Sequence, residues 1–538
     1  MADETIAASA APARRRLALS TAIFALATAL SRVVGLGREV VAASFFGTSP
    51  GASAFTIASQ IPNLMSNLFA QAALSAAFVP VFTDLLQQGR KREAFKLAST
   101  LFWIILIALG ALTAIGILLA GVIMPLFTGS TFSSADNHLT AGLAQVLFPV
   151  VLLLGLTGLL VGILQSYDEF SIPALAPAVW NLVILVLLVA LRGQFSARGG
   201  QQLYAYAIAW LVATVVQGLM VASALRRIDF RLRLEVDWRD PRIRQVFVLM
   251  LPVTIGLGIV NLDQLLNSVF GTLVSSAAPR AIDNAFRIYM LPQGIFSVAV
   301  ATVLFPTLSR LAARRAPAEM RRTIGNGMRQ INLLLIPAAG LLIALATPIT
   351  RLVYQRGNFH ADSTSLVSVA LFWFAFSLPF GGLNLLLTRT FFALQRPWIP
   401  TRLAALNMVV DVIVSVALYR PLGIAGLVIG TAVANAMMTV LQLHRLRTGF
   451  GGRLEGAQTL MITARILVAS AIVAVLARIV WGLLDGLLGR SLPAEVVSVG
   501  VALSLALYAY TKAVLTMRIP EARQIEALVL GRLRGGKG

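Results

Sequence analysis

Ser31-Arg-Val-Val-Gly-Leu-Gly-Arg-Glu39 lies inside the first long apolar segment of the chain. It places Arg32, Arg38 and Glu39 where a lipid-spanning helix normally carries no charge. A charge near mid-bilayer costs roughly 2.5–3.5 kcal/mol on insertion scales, so such residues usually face a watery cavity or a partner. Arg32 and Arg38 sit about 120° apart around a straight helix. Gly35 and Gly37 stand between them, and glycines permit the bend or close packing that would turn both guanidiniums toward one space. The competing reading is local: snorkelling from a helix end, with Arg38 paired to Glu39.

The surrounding composition decides the class. Of 538 residues, 58% are hydrophobic and 12% charged, and the mean hydropathy is +0.84; soluble domains are not built this way. The expectation is an all-α polytopic membrane protein. Cysteine is absent, which removes disulfides, thiol nucleophiles and cysteine-held metals. The three histidines, His138, His360 and His444, are far apart in sequence and do not suggest a catalytic or zinc cluster. The net charge of +22 reads as membrane topology, not as a nucleic-acid footprint. Residues 1–16 form a polar, Ala-rich tail ending in Arg14-Arg15-Arg16. The apolar run beyond it is too long for a signal-peptide core, so a retained first helix is expected.

Windows of about 20 apolar residues give about fourteen transmembrane helices, from 17–46 to 492–516. Basic residues crowd every second loop, as at Arg90-Lys91-Arg92, Arg226 to Arg244 and Arg314 to Arg322, while the loop from Thr128 to Thr140 has none. The alternation puts both termini in the cytoplasm. Ala77-Phe-Val-Pro80 resembles Val303-Leu-Phe-Pro306, and Ser171-Ile-Pro-Ala174 resembles Trp398-Ile-Pro-Thr401. Both pairs are offset by about 226 residues, the weak internal symmetry typical of transporters. The expected organisation is an N-lobe of six helices (17–240), a C-lobe of six in parallel pseudo-repeat (241–446), two additional C-terminal helices (461–516) and a cytoplasmic tail (517–538).

Further charges fall inside spans. Asp283 and Arg287 are four apart and share a helix face; Pro292 and Gly294 follow, where a helix can bend. Arg32 and Arg38 from one lobe and Arg287 from the other could meet in a central cavity. Guanidinium forks match phosphate geometry and stay charged when desolvated, so the expected ligand is anionic and phosphate-bearing. A second set comprises Asp263, then Asn407 and Asp411 at i and i+4, then Thr431. These are hard oxygen ligands suited to a cation, or carboxylates suited to a proton relay. A plain salt bridge of Asp411 with Arg389 or Arg402 is the structural alternative. No nucleotide fingerprint or nucleophile elbow occurs, and a non-enzyme is expected.

The Ser31–Glu39 stretch resembles the signature of the MurJ/MviN lipid II flippases. So do Ile61-Pro-Asn63-Leu, Asn67-Leu-Phe-Ala-Gln-Ala-Ala-Leu-Ser-Ala-Ala-Phe-Val-Pro80, Phe305-Pro-Thr-Leu-Ser309, Leu352-Val-Tyr-Gln-Arg-Gly-Asn-Phe359 and Phe391-Phe-Ala-Leu-Gln395. The resemblance implies the exporter fold of the multidrug/oligosaccharidyl-lipid/polysaccharide superfamily in a bacterial cytoplasmic membrane. It implies translocation of lipid II, the undecaprenyl-diphosphate-linked peptidoglycan precursor, from the inner to the outer leaflet. The diphosphate ligands would be Arg32, Arg38 and Arg287, with Glu39, Asn63 and Asp283 lining the cavity or gating it. No cofactor is implied beyond a sodium ion on Asp263, Asn407, Asp411 and Thr431. The implied partners are lipid II, membrane lipids and peptidoglycan-synthesis proteins, with no nucleic acid. Against the family pattern, Ser53 replaces an acidic residue, Ser66 an arginine, Gln71 a glutamate and Phe286 an aspartate. Losing charges of both signs together leaves none orphaned. The alternatives are another polyprenyl-diphosphate-oligosaccharide or drug exporter of the superfamily, a non-transporting wall-synthesis scaffold, or an enzyme acting on lipid-linked sugars. Three cavity arginines disfavour a cationic drug.

Overall fold

The computed structural model describes residues 27, 30–69, 72–195, 200–228, 230–233, 237–451 and 454–523. Every long element among them is a helix, and eleven helical segments are long and apolar enough to cross a membrane. Their outward faces carry exposed Leu118, Val122, Leu483 and Leu507, as lipid requires. The chain is a multi-pass membrane protein. The three other sequence-derived spans, 17–46, 53–86 and 243–274, also coincide with helices wherever their residues are described.

Contacts divide the chain into two units, at Pro279 and Arg280. The first holds α1 (30–46), α2 (Pro50–Phe69), α3 (Ala72–Gln87), α4 (Lys91–Ile123), α5 (Ser134–Leu147), α6 (Pro149–Ser166), α7 (Ser171–Leu191), α8 (Gln202–Ala224) and α9 (Pro241–Val274). A capping box between Ser133 and Asp136 starts α5, and the Asp240 carboxylate with Pro241 at the first turn starts α9; each satisfies orphan N–H groups. The core holds Phe55 stacked on Tyr206 at 4.3 Å, with Trp210 edge-on to Phe55. Ser53 is fully buried two residues away, a setting in which an acid would need a dedicated partner. Helix α9 packs on α2 and α3. The contact boundary therefore falls after α9, whereas the repeat in the sequence places the lobe boundary before it.

The second unit holds α10 (Ala278–Pro292), α11 (Val298–Ala313), α12 (Pro317–Ala344), α13 (Ala346–Tyr354), α14 (Ala361–Ala393), α15 (Trp398–Leu422), α16 (Ile424–Gly449), α17 (Gly456–Leu488) and α18 (Leu492–Thr516). The bend expected at Pro292 and Gly294 is a π turn over Gln293–Ser297. Gly381 and Gly382 of α14 lie against it: a Cβ at Gly382 would come 2.7 Å from Ser297 Oγ and 2.2 Å from Leu335. The segment 325–354, read as one span, is broken at Leu345 between α12 and α13. Between α15 and α16 the chain reverses at Gly423, with φ +57°, a conformation glycine adopts without strain. Helices α15 and α16 then approach closely at Gly426, where a Cβ would fall 2.2 Å from the Leu418 carbonyl oxygen.

The stretch after α18, read in the sequence as the cytoplasmic tail, docks in its described part. Ile519 and Ala522 are buried in the apolar cluster of α12, α17 and α18. Arg329 of α12 is 8% exposed; its Nε donates to Glu521 and its Nη1 to Glu455 at 3.0 Å. Removing Glu521 leaves Arg329 with Glu455 but takes away one charge-assisted hydrogen bond, worth about 1.5–3 kcal/mol. Glu521→Ala is therefore expected to lower the melting temperature and to expose the segment beyond Thr516 to limited proteolysis. An unchanged cleavage pattern would refute the clamp.

Candidate functional site

In the first unit, Asn181 of α7 donates to the Ser31 carbonyl and hydroxyl at 3.4 Å. Gly35 lets α1 approach: a Cβ there would sit 3.4 Å from Asn181. Arg32 is exposed on α1, whereas Arg38, six residues on, is turned into the packed interior. Arg38 is 4% exposed and paired with Glu39, itself 2% exposed. Its guanidinium carbon lies 5.1 Å from the Trp180 ring centroid and 5.2 Å from that of Trp210. Among the described residues its Nε and Nη1 are buried without a hydrogen-bond acceptor, the environment in which ring faces take over a cation. Both sequence readings thus hold in part. Arg38 has its local partner, and Arg32 is the guanidinium of this pair that is open to its surroundings. Asn63 is half-buried on α2. The Ser66 side chain and Gln71 lie outside what the structure describes.

In the second unit, Asp283 Oδ2 accepts from Arg287 Nε and from Arg280 Nη1, each at 3.1 Å. Arg280 is 4% exposed and Arg287 36%. Asp283 thus joins two guanidiniums, the buried one of Arg280 and the more exposed one of Arg287. Arg280 was missed in the sequence although its spacing, three before Asp283, was visible. Phe286 lies 5.6 Å from Tyr289 and 5.7 Å from Phe374, centroid to centroid. A ring, not a carboxylate, suits that cluster.

Asp411 is 2% exposed. Its Oδ1 accepts from Ser415 Oγ at 3.1 Å and its Oδ2 from Thr431 Oγ1 at 3.2 Å. Asn407 Nδ2 donates to Asn435 Oδ1 at 3.5 Å, Asn435 Nδ2 to Ser377 Oγ at 2.9 Å, and Ser377 Oγ lies 3.4 Å from Tyr289 Oη. Side chains thus link the neighbourhood of Asp411 to the helix that carries Arg287. Asn435 and Ser377 are the residues that sequence reading missed; polar residues within spans were the available signal. Asp263 belongs to the first unit and Asn407, Asp411 and Thr431 to the second. Among the described residues no three His, Cys, Asp or Glu side chains form a metal cluster. The donors around Asp411 are hard oxygens, which fit sodium better than a transition metal.

Comparison with known proteins adds an independent line. The family model described as "Lipid II flippase MurJ" matches residues 42–502. A protein of Rhizobium tropici named "Probable lipid II flippase MurJ" is 32% identical over 432 residues, covering 78% of this chain and 79% of its own. "Lipid II flippase MurJ" of Burkholderia cenocepacia is 28% identical, covering 78% of this chain and 82% of its own. Among solved structures, a lipid II flippase MurJ in an inward closed conformation superposes with a TM-score of 0.77 at 21% identity, over 92% of this chain and 99% of that one. An inward-facing multidrug transporter of the MATE family gives 0.66 at 15% identity, over 78% of this chain and 94% of its own. At these identities the two structures speak for the fold alone.

Proposed function

The chain belongs to the MurJ family of lipid II flippases, and from that membership we propose how its own charges carry the substrate. It is a lipid II flippase. The observation that carries the proposal is the Arg287 guanidinium, 36% exposed on a membrane helix and held by the Asp283 carboxylate. Arg287, with Arg32 of α1, engages the diphosphate, and Asp283 holds the Arg287 fork in place. Arg38 fixes the α1 backbone against α7 and α8 so that Arg32 is presented. The π turn at Gln293–Ser297 lets α10 bend as the lobes alternate between inward and outward access, since π turns recur at functional helix irregularities. The basic loops set both termini in the cytoplasm, so transport runs from the inner to the outer leaflet of the cytoplasmic membrane. The test is lipid II accessibility at the outer face of cells that rely on this protein alone. Absence of accessible lipid II, with the protein inserted, would overturn the reading.

Sodium is the proposed coupling ion, held by the Asp411 carboxylate with the oxygens of Thr431 and Asn407. A bound ion that favours the folded state raises its stability with concentration. Raising sodium at constant ionic strength should therefore raise the melting temperature of the wild type and leave Asp411→Ala flat. An equal response to potassium or choline would remove sodium from the proposal.

A further inference from the structure

Helix α17 has 33 residues, about 50 Å of helix, against about 30 Å of hydrocarbon. Arg478 lies ten residues before its last residue, Leu488, or about 15 Å from the helix end. It is exposed, and its guanidinium carbon is 4.6 Å from the Trp481 ring centroid, so the side chain runs toward the α17–α18 connection. The nearby ionic cluster is already engaged. Arg351 pairs with Asp485 and Glu495, and Arg490 reaches Asp485 at 3.7 Å. Arg356 also acts on Glu495, so among the described residues four arginines face two carboxylates and cations are in excess here.

Beside Arg478 opens a cavity of about 310 Å³, whose lining includes Thr347, Pro348, Ser368, Phe372 and Trp373. It sits where α12 breaks into α13. Pro348 has no N–H to give the Ala344 carbonyl, so that carbonyl lacks its usual helical donor. In a bilayer such groups must find one elsewhere. Ser368 donates its proton to the Ser365 carbonyl at 3.0 Å, which leaves its oxygen free to accept. Phe372, Trp373 and Phe376 pack together at 5.3–5.5 Å and form an aromatic wall. Val369 of the lining is exposed, as are Val475 and Ile479, which flank Arg478 on α17, surroundings for acyl chains and not for a soluble partner.

We infer that this cavity seats an anionic glycerophospholipid from the leaflet nearest the α17–α18 connection, with its phosphate on Arg478. Guanidiniums take phosphate oxygens in a fork, headgroup hydroxyls can give the donor that the Ala344 carbonyl lacks, and indoles favour this depth. The site is separate from the residues assigned to transport and stands whether or not the diphosphate assignment does.

Native mass spectrometry of the full-length protein, titrated with phosphatidylglycerol, phosphatidylcholine or diacylglycerol, tests it. Wild type is expected to hold one phosphatidylglycerol at least fivefold more tightly than phosphatidylcholine, and to hold diacylglycerol no better than Arg478→Ala does. Arg478→Ala should weaken phosphatidylglycerol about tenfold, Arg478→Lys less, and Arg465→Ala, on the same helix but outside the cavity lining, not at all. Equal affinity in wild type and Arg478→Ala, the result if Arg478 merely snorkels, would overturn the assignment. So would displacement of phosphatidylglycerol by an equimolar polyprenyl diphosphate, which would make the cavity a substrate seat.

Discussion

Arg287→Ala is expected to abolish growth of a flippase-depleted cell while the protein still inserts at normal level. The local arithmetic explains why function and fold should separate. Arg280 alone still neutralises Asp283, at 3.1 Å, so no buried carboxylate is stranded. What disappears is the more exposed of the two guanidiniums on Asp283. Truncating one member of a desolvated, hydrogen-bonded charge pair costs about 2–5 kcal/mol, or roughly thirtyfold or more in diphosphate affinity. Arg287→Lys keeps the charge but loses the paired geometry and should rescue only in part. Asp283→Asn should leave the charge in place but free the fork, weakening transport less than Arg287→Ala. Two readouts are required: complementation, and melting temperature in detergent. Full complementation by Arg287→Ala would remove this residue from the transport path. A collapse in melting temperature would instead make the cluster structural.

What the sequence disclosed and what it hid follow from the range of each interaction. Hydropathy reports burial in lipid residue by residue, so the helices and the basic loops were legible from Ser31 to Thr516. The Asp283–Arg287 pair and the Asp411–Thr431 neighbourhood were legible as charged or polar residues in apolar surroundings. The docking of Glu521 onto Arg329 was not, because 192 residues separate them and no local pattern encodes the pairing. The break at Leu345 was also hidden. The proline responsible for the missing carbonyl donor, Pro348, comes three residues after it, and Leu345 itself is a good helix former. The interior placement of Arg38 was illegible for a different reason. Trp180 and Trp210, which receive it, are ordinary apolar residues of two later helices. Nothing in their spacing marks them as a box for a cation.

That box makes the second large effect predictable. Arg38→Ala is expected to cost about 3–5 kcal/mol of stability, the usual penalty for removing one partner of a buried ion pair. It takes the guanidinium from Glu39, which is 2% exposed, and it opens a void beside the Trp180 and Trp210 rings. If Arg38 acts mainly by holding α1, charge balance matters more than the guanidinium itself. Arg38→Met together with Glu39→Gln should then be markedly more stable than Arg38→Ala, since a thioether can fill the space against the rings and no buried carboxylate remains. A double-mutant cycle isolates the coupling between the two positions, measured by thermal unfolding in detergent and by complementation on the same variants. Recovery of both stability and growth in the double variant assigns Arg38 to the scaffold that presents Arg32. Recovery of stability without growth assigns it to the substrate as well, because then the positive charge is needed for more than the fold.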